Sequence, residues 1–390
     1  MVDATTQTTN QIIENSTKAM SEVMKNIKDN EIKFFSIIII ILLLLSTFYY
    51  IYYKLTLNNR NCKVLKDIYD TVPRLNSITT NSNYNEYLLR DFYVKSAYNC
   101  CSAGNFKNDF VNLCALKTCI NQGARFLDFE IYSINDQPVI ATSSVSDFTI
   151  KETYNYIPIN EAFELILNNA FSGGSCPNFE DPIILHFRIM SSNCKMYNNF
   201  ANIIVNNTRF NSRTLGKKYS YEFKDPEFGS KNLGQIPIKN FRSKIIISID
   251  SSNPLYQHTK LDEYVNISSG SAFMHLLRFK EVKYTQDLTL TNFNKKNMSV
   301  VLPDVQVNDV NPNFNIARTY GCQFIGMSFQ NYDVNLQHYN EFFDSNRSAF
   351  VLKPKELRFI PVTIPVPEPQ DPKLSYATRG IKSDFYNYKI

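Results

Sequence analysis

The sequence predicts an α/β protein, a closed (β/α)8 barrel preceded by one membrane-spanning helix. Three observations lead there. An uncharged stretch of twenty residues, FFSIIIIILLLLSTFYYIYY at 34–53, lies near the start of the chain. Past residue 90, short apolar runs alternate with helically spaced ones, the pattern of parallel strands joined by helices. With 390 residues, the chain holds enough of these alternations that eight strands around a barrel account for the length better than an open sheet does.

Residues 1–33 are polar, with Ile12, Ile13, Met20, Val23, Met24 and Ile27 at nearly helical spacing. A short amphipathic helix and a solvated tail both fit this segment. The apolar run is closed by Lys33 and Lys54 and is long enough to cross the hydrocarbon of a bilayer. Tyr49, Tyr50, Tyr52 and Tyr53 at its end suit an interfacial belt, where the ring is half immersed and the hydroxyl stays wet. A cleaved signal peptide fits less well, because some thirty polar residues precede the run and no small-residue cleavage site follows it.

Lys18, Lys25, Lys28 and Lys33 before the helix balance Lys54, Arg60, Lys63 and Lys66 after it, so the charge rule does not decide orientation. A narrow preference places the N terminus on the cytoplasmic side. Sequons at Asn206, Asn266, Asn297 and Asn346 permit a lumenal C-terminal part, and one at Asn15 lies on the opposite side.

Residues 54–90 read as a stalk and lead-in. A first half-barrel spans 91–250, with the runs FYVKSAY, ARFLDFEIY, DPIILHFRI and KIIISID separated by helical patterns at 109–121 and 160–170. A polar segment, 251–290, reads as a linker. The second half-barrel, 291–360, carries CQFIGMSF and AFVLK, and the prolines of PVTIPVPEPQDP make 361–390 an extended tail.

Composition narrows the function classes. The net charge is +5, but Lys and Arg are scattered among acids and form no stripe with stacking aromatics, which excludes nucleic acid as the expected partner. The eight cysteines, Cys62, Cys100, Cys101, Cys114, Cys119, Cys176, Cys194 and Cys322, lack paired zinc spacing. They read as reduced core thiols, with one or two disulfides the alternative in an oxidising compartment. Abundant Asn, Ile, Lys, Tyr and Phe with no Trp fit an AT-rich genome, viral or microbial.

Several segments together resemble the X and Y catalytic halves of phosphoinositide-specific phospholipase C. SAYN at 96–99 stands where that family has Ser-Ser-His-Asn, GARFLDFE at 123–130 where it has Gly-x-Arg-x-x-Glu-x-Asp, and PIIL at 182–185 where it has Pro-Val-Ile-Leu-Ser-Leu-Glu. In the second half, NKKNMSVVLP at 294–303 resembles Asn-Lys-Arg-x-Met-Ser-Arg-x-Tyr-Pro. The segments at 320–343 and 349–358 resemble Gly-Cys-Gln-x-x-x-x-Asn-Phe-Gln and Tyr-Leu-Leu-Lys-Pro-x-x-x-Arg. The likeness covers about 90–355.

The resemblance implies a chemistry whose parts are missing here. In the family two histidines act as acid and base, and a calcium ion held by Asn, Glu, Asp and Glu activates the inositol hydroxyl. The histidine positions fall on Tyr98 and Thr142, neither of which shuttles protons near neutral pH. Three calcium-ligand positions keep their type as Asn99, Asp128 and Glu130, with Glu and Asp exchanged between the last two; the fourth is Arg188. A guanidinium there repels a divalent cation and is expected to pair with Asp128 or Glu130. The family's phosphate-binding positions fall on Ser248, Asp250, Val300 and Leu302.

The expectation is therefore a membrane-anchored pseudoenzyme without catalytic or metal-binding residues and without calcium, its barrel kept as a platform for a protein partner or a lipid headgroup. His186, Arg188, Ser248 and Asp250 are expected to line a vestigial pocket. One rival reading is a metal-independent phosphodiesterase using His186 with Arg188, which share a strand face at spacing two. Another is a structural envelope protein of a virion.

Overall fold

The structure, a computed structural model, describes residues 2–145, 150–216, 219, 232–285, 288–305, 310–361, 374 and 376–389. The chain begins with one long helix, α1 (Val2–Ile68). Over 34–53 its apolar side chains are exposed, and the segment is apolar and long enough to span a membrane. Instead of the stalk expected over 54–90, the helix continues past Lys54 and docks on the barrel, burying Leu57 and Leu65.

Eleven strands make the main sheet: β1 (Phe92–Ala97), β2 (Phe126–Ile134), β3 (Gln137–Ile140), β4 (Ile157–Pro158), β5 (Ile183–Ile189), β6 (Ile245–Asp250), β7 (Ile267–Ser269), β8 (Met274–Arg278), β9 (Met298–Leu302), β10 (Phe324–Met327) and β11 (Phe350–Leu352). Eight run parallel in the order β7-β6-β5-β2-β1-β10-β9-β8. The two end strands, β7 and β8, are consecutive in sequence, so the ring closes through the chain itself, at residues 270–273. Such a link is too short for a helical crossover. Gly270, at φ +82°, makes its turn: the N–H groups of Gly270 and Ser271 both donate to the Met274 carbonyl, and an added Cβ would meet the Ser251 hydroxyl at 2.5 Å.

Placing β7 and β8 within 251–290 corrects the reading of that segment as a linker. Its polar NISSGS stretch hides β-structure because the buried Asn266, Ser268 and Ser269 each find a hydrogen-bond partner: Ser269 meets His186 inside the barrel, Ser268 meets Tyr256 on the outer face, and Asn266 accepts from the Ile247 N–H. At the other end of the chain, Gly380–Lys382 and Asn387–Lys389 pair as an exposed hairpin, while most of the proline-rich stretch of the expected tail, 362–373, lies outside the described residues.

Helices α2 (Leu113–Asn121), α3 (Ile159–Asn169) and α4 (Cys194–Asn206) cover the first half of the barrel. Each buries one apolar stripe, such as Leu116, Cys119 and Ile120 of α2, against the outward residues of the strands. Inward residues form a separate core. Phe126, Ile184, Ile246, Met298 and Phe324 plug the N-terminal end of the barrel, and Phe126 stacks on Phe324 at 4.9 Å between centroids. Above this plug the alternate residues of β2, β5 and β7 turn polar.

The tail of α1 runs alongside α2. Asn112 Nδ2 donates to Asn58 Oδ1, Cys62 is disulfide-bonded to Cys114, and Gln122 Nε2, at the far end of α2, donates to the Thr71 carbonyl. Lys54 lies beside the loops that follow the strand C-termini, donating to the Asn108 carbonyl at 3.1 Å and sitting 5.1 Å from the centre of the Tyr154 ring. The apolar segment therefore leaves the barrel on the side of its C-terminal mouth. The disulfide falls to the alternative of one or two bonds rather than to reduced thiols throughout; the other six cysteines are unbonded.

Candidate functional site

Strands β2 and β5 are neighbours in register, with Asp128 opposite His186 and Glu130 opposite Arg188. Because side chains alternate across a strand, all four point into the barrel. Arg188 is the hub. Its Nε lies 3.1 and 3.2 Å from the two oxygens of Asp128, its Nη2 3.0 Å from Asp128 Oδ2 and 2.6 Å from Asn99 Oδ1, and its Nη1 3.1 Å from Glu130 Oε2. The planar fork of a guanidinium makes this triple engagement feasible. Asn99 adopts a positive φ of 42° directly after Tyr98, and its own N–H donates to Asp128. The Tyr98 ring covers the guanidinium at 4.8 Å and stands edge-on to Phe106.

Below Arg188 a second chain of hydrogen bonds crosses the barrel. His186 Nδ1 lies 2.7 Å from Asp128 Oδ1 and its Nε2 2.8 Å from Ser269 Oγ, while the ring stacks on Phe126. An ionised carboxylate can only accept, so the imidazole donates from Nδ1. Tyr132, two residues beyond Glu130 on the same face, donates its hydroxyl to Glu130 Oε1.

The cluster is dry: Asp128, His186 and Ser269 are 0% exposed, Arg188 and Glu130 2%. Burial alone would raise the Asp128 carboxyl, but Arg188 and the His186 bond outweigh it and hold the group well below the usual carboxylate range. At Glu130 burial wins over Arg188 and the group is raised. Burial would lower Arg188, but the carboxylates beside it raise it further.

The remaining expected positions fall apart. Thr142 is buried and donates to the Phe106 carbonyl. Ser248 sits next to His186 in the sheet with its hydroxyl at Met274 Sδ, and Asp250 accepts from the Ser252 N–H of its own chain. His186, Arg188, Ser248 and Asp250, expected to line a vestigial pocket, are all buried, at exposures of 0–8%. Val300 and Leu302 are apolar core. Tyr132 and Ser269 were missed in the sequence. The two-residue spacing from Glu130 could have flagged Tyr132; Ser269 stood in the segment taken for a linker.

An N-terminal apolar helix followed by a parallel barrel with inward polar residues at its C-terminal mouth defines the class of protein: a (β/α)8 barrel on a long helical stem. More particularly, the barrel has the phospholipase C fold. Its structural relatives include PLC21 of L. pealei, at a TM-score of 0.54 and 15% identity, and PLC21 of S. officinalis, at 0.55 and 16%. Each alignment covers 70% of this chain and 38% of the relative, so the chain matches well under half of those proteins. A calcium-dependent phosphoinositol-specific phospholipase C from Pseudomonas sp. aligns at 0.43 and 8% identity, over 64% of this chain and 93% of that one. No protein-family profile and no curated protein matches the sequence.

Proposed function

We propose that this chain is a membrane-anchored, phospholipase C-like pseudoenzyme, its barrel serving as a platform for a protein partner or a lipid headgroup. The observation that carries the reading is the position of Arg188. The residues that would hold calcium in such a barrel do not fit the ion here: Asn99, Asp128 and Glu130 all give oxygens to the guanidinium, which stands where a fourth oxygen ligand is needed. Tyr98 and Thr142, at the family's acid and base positions, are both buried, and the Tyr98 hydroxyl is raised by burial even with Arg188 beside it. The exposed apolar segment supports an anchor, and its exit beside Lys54, Asn108 and Tyr154 turns the barrel mouth towards the bilayer.

The rival phosphodiesterase reading uses His186 with Arg188, and the Asp128–His186–Ser269 chain adds to it the connectivity of an acid, a base and a hydroxyl. Its complete burial favours a latch instead. The test is hydrolysis of phosphatidylinositol and its bisphosphate in mixed micelles by the full chain, with and without calcium. Turnover at background is expected. Substantial turnover, lost in both His186→Ala and Arg188→Lys while the fold persists, would overturn the pseudoenzyme reading.

A further inference from the structure

We propose that the barrel lies on the oxidising, glycosylating side of its membrane and that Asn206 and Asn346 carry N-linked glycans on the membrane-distal face. The inference rests on the anchor reading above. Its first support is the Cys62–Cys114 disulfide, formed between two half-exposed residues on the C-terminal side of the apolar segment. Such bonds persist where the compartment is oxidising. Of the six unbonded cysteines, five are buried in the fold.

The second support is independent of the first. Four sequons follow the apolar segment, and the fold sorts them. Asn266 is 2% exposed and its Oδ1 accepts from the Ile247 N–H inside the sheet, leaving no room for a glycan. Asn297 is held between α-helical and loop segments, with Oδ1 accepting from Asn232 Nδ2 and its carbonyl accepting from Gln323. Asn206 and Asn346 are exposed. Asn206 ends α4 and Asn346 follows the helix Val334–Ser345, so both stand where helices return to the N-terminal end of the barrel, opposite the mouth at which α1 leaves. A glycan there points away from the bilayer.

In the transfer, Asn Nδ2 attacks the sugar C1 of a polyisoprenyl diphosphate oligosaccharide. A C–N bond forms, the C–O bond to the diphosphate breaks with its electron pair, and the one amide proton lost is balanced by the negative charge released on the departing polyisoprenyl diphosphate. The hydrogen left on Nδ2 is enough to keep the Asn346 bond to the Phe342 carbonyl.

The experiment is synthesis of the full chain in the presence of microsomes, read by alkaline carbonate extraction, protease protection and endoglycosidase mobility shift. Retention in the membrane, protection of the barrel and a two-step shift are expected, with one step lost in Asn206→Gln, one in Asn346→Gln and none in Asn266→Gln or Asn297→Gln. Extraction by carbonate overturns the anchor itself. Retention with a protease-accessible barrel, or modification at Asn15, overturns the orientation alone. Retention and protection with no shift, or with steps that map to Asn266 or Asn297, overturns the site assignment.

Discussion

The guanidinium of Arg188 engages both oxygens of Asp128 at 3.0–3.2 Å while its other arm holds Glu130 at 3.1 Å, at the centre of a barrel mouth with almost no solvent. Two carboxyl groups and one cation in a dry site balance only as a set, because any one of them left alone meets the full cost of lost hydration.

Removing the hub should therefore cost far more than an ordinary surface ion pair. Arg188→Met takes the cation from two buried carboxyls, leaving Asp128 to His186 and Asn99, and Glu130 to Tyr132, and is expected to lower stability by about 3–5 kcal/mol. Arg188→Lys keeps the charge but loses the fork, and should fall between Met and the native chain. Denaturant unfolding of the detergent-solubilised chain ranks the three; a Met variant as stable as the native chain would show that the ion cluster does not hold the mouth.

Calcium offers the converse test. Arg188→Glu returns a fourth oxygen donor to Asn99, Asp128 and Glu130, so this variant should gain a calcium-dependent rise in Tm. Binding at a hundred times Kd stabilises by about 2.7 kcal/mol. The native chain should show no rise at the same calcium. A rise in the native chain would mean that its oxygens are free to leave Arg188.

Lys353 sets a pH dependence. Its ammonium is 2% exposed and donates to the Asn294 carbonyl at 2.9 Å; burial pulls it down to about 7, with Asp91 opposing in part. Below that pH the lysine is charged in both states and its burial cost is constant. Between about 7 and the unfolded value near 10.4 the unfolded chain binds the extra proton, so stability should rise with pH across this window. Lys353→Met should flatten the rise. Parallel slopes of unfolding free energy against pH for the two proteins would rule out Lys353 as its source.

Much of the barrel was legible in the sequence where physics acts locally. DPIILHFRI and KIIISID are strands covered on both faces, and such strands read as continuous apolar runs. Asp128, Glu130 and Arg188 were read as site residues through the resemblance to the phospholipase C motifs, and two-residue spacing on neighbouring strands is what brings them to one face. Ser269 was not, since it stands on β7, two strands from His186 across the β6 ladder, a contact spanning 83 residues. The docking of 54–68 was hidden for a similar reason: Leu57 and Leu65 are single apolar residues in a polar helix, and only the grooves beside α2 show what they bury.

The same docking gives the last prediction. The Cys62–Cys114 bond closes a loop with a sequence separation of 52, which by chain entropy corresponds to roughly 4 kcal/mol. It joins the stem helix to α2 beside noncovalent contacts that include Leu65 with Ala103 and Ala115, Asn58 with Asn112, Asn61 with Asp109, and the Tyr69 hydroxyl on the Phe329 carbonyl. The double variant Cys62→Ser, Cys114→Ser should therefore lose its stem before its barrel. Hydrogen exchange is expected to accelerate over 54–69, while β2, β5 and β6, which rest on their own ladders, keep their protection. Loss of protection in those central strands at the same rate as in the stem would instead make the disulfide a support of the whole barrel. Unchanged exchange in the stem would assign its docking to Leu57, Leu65 and Tyr69 alone.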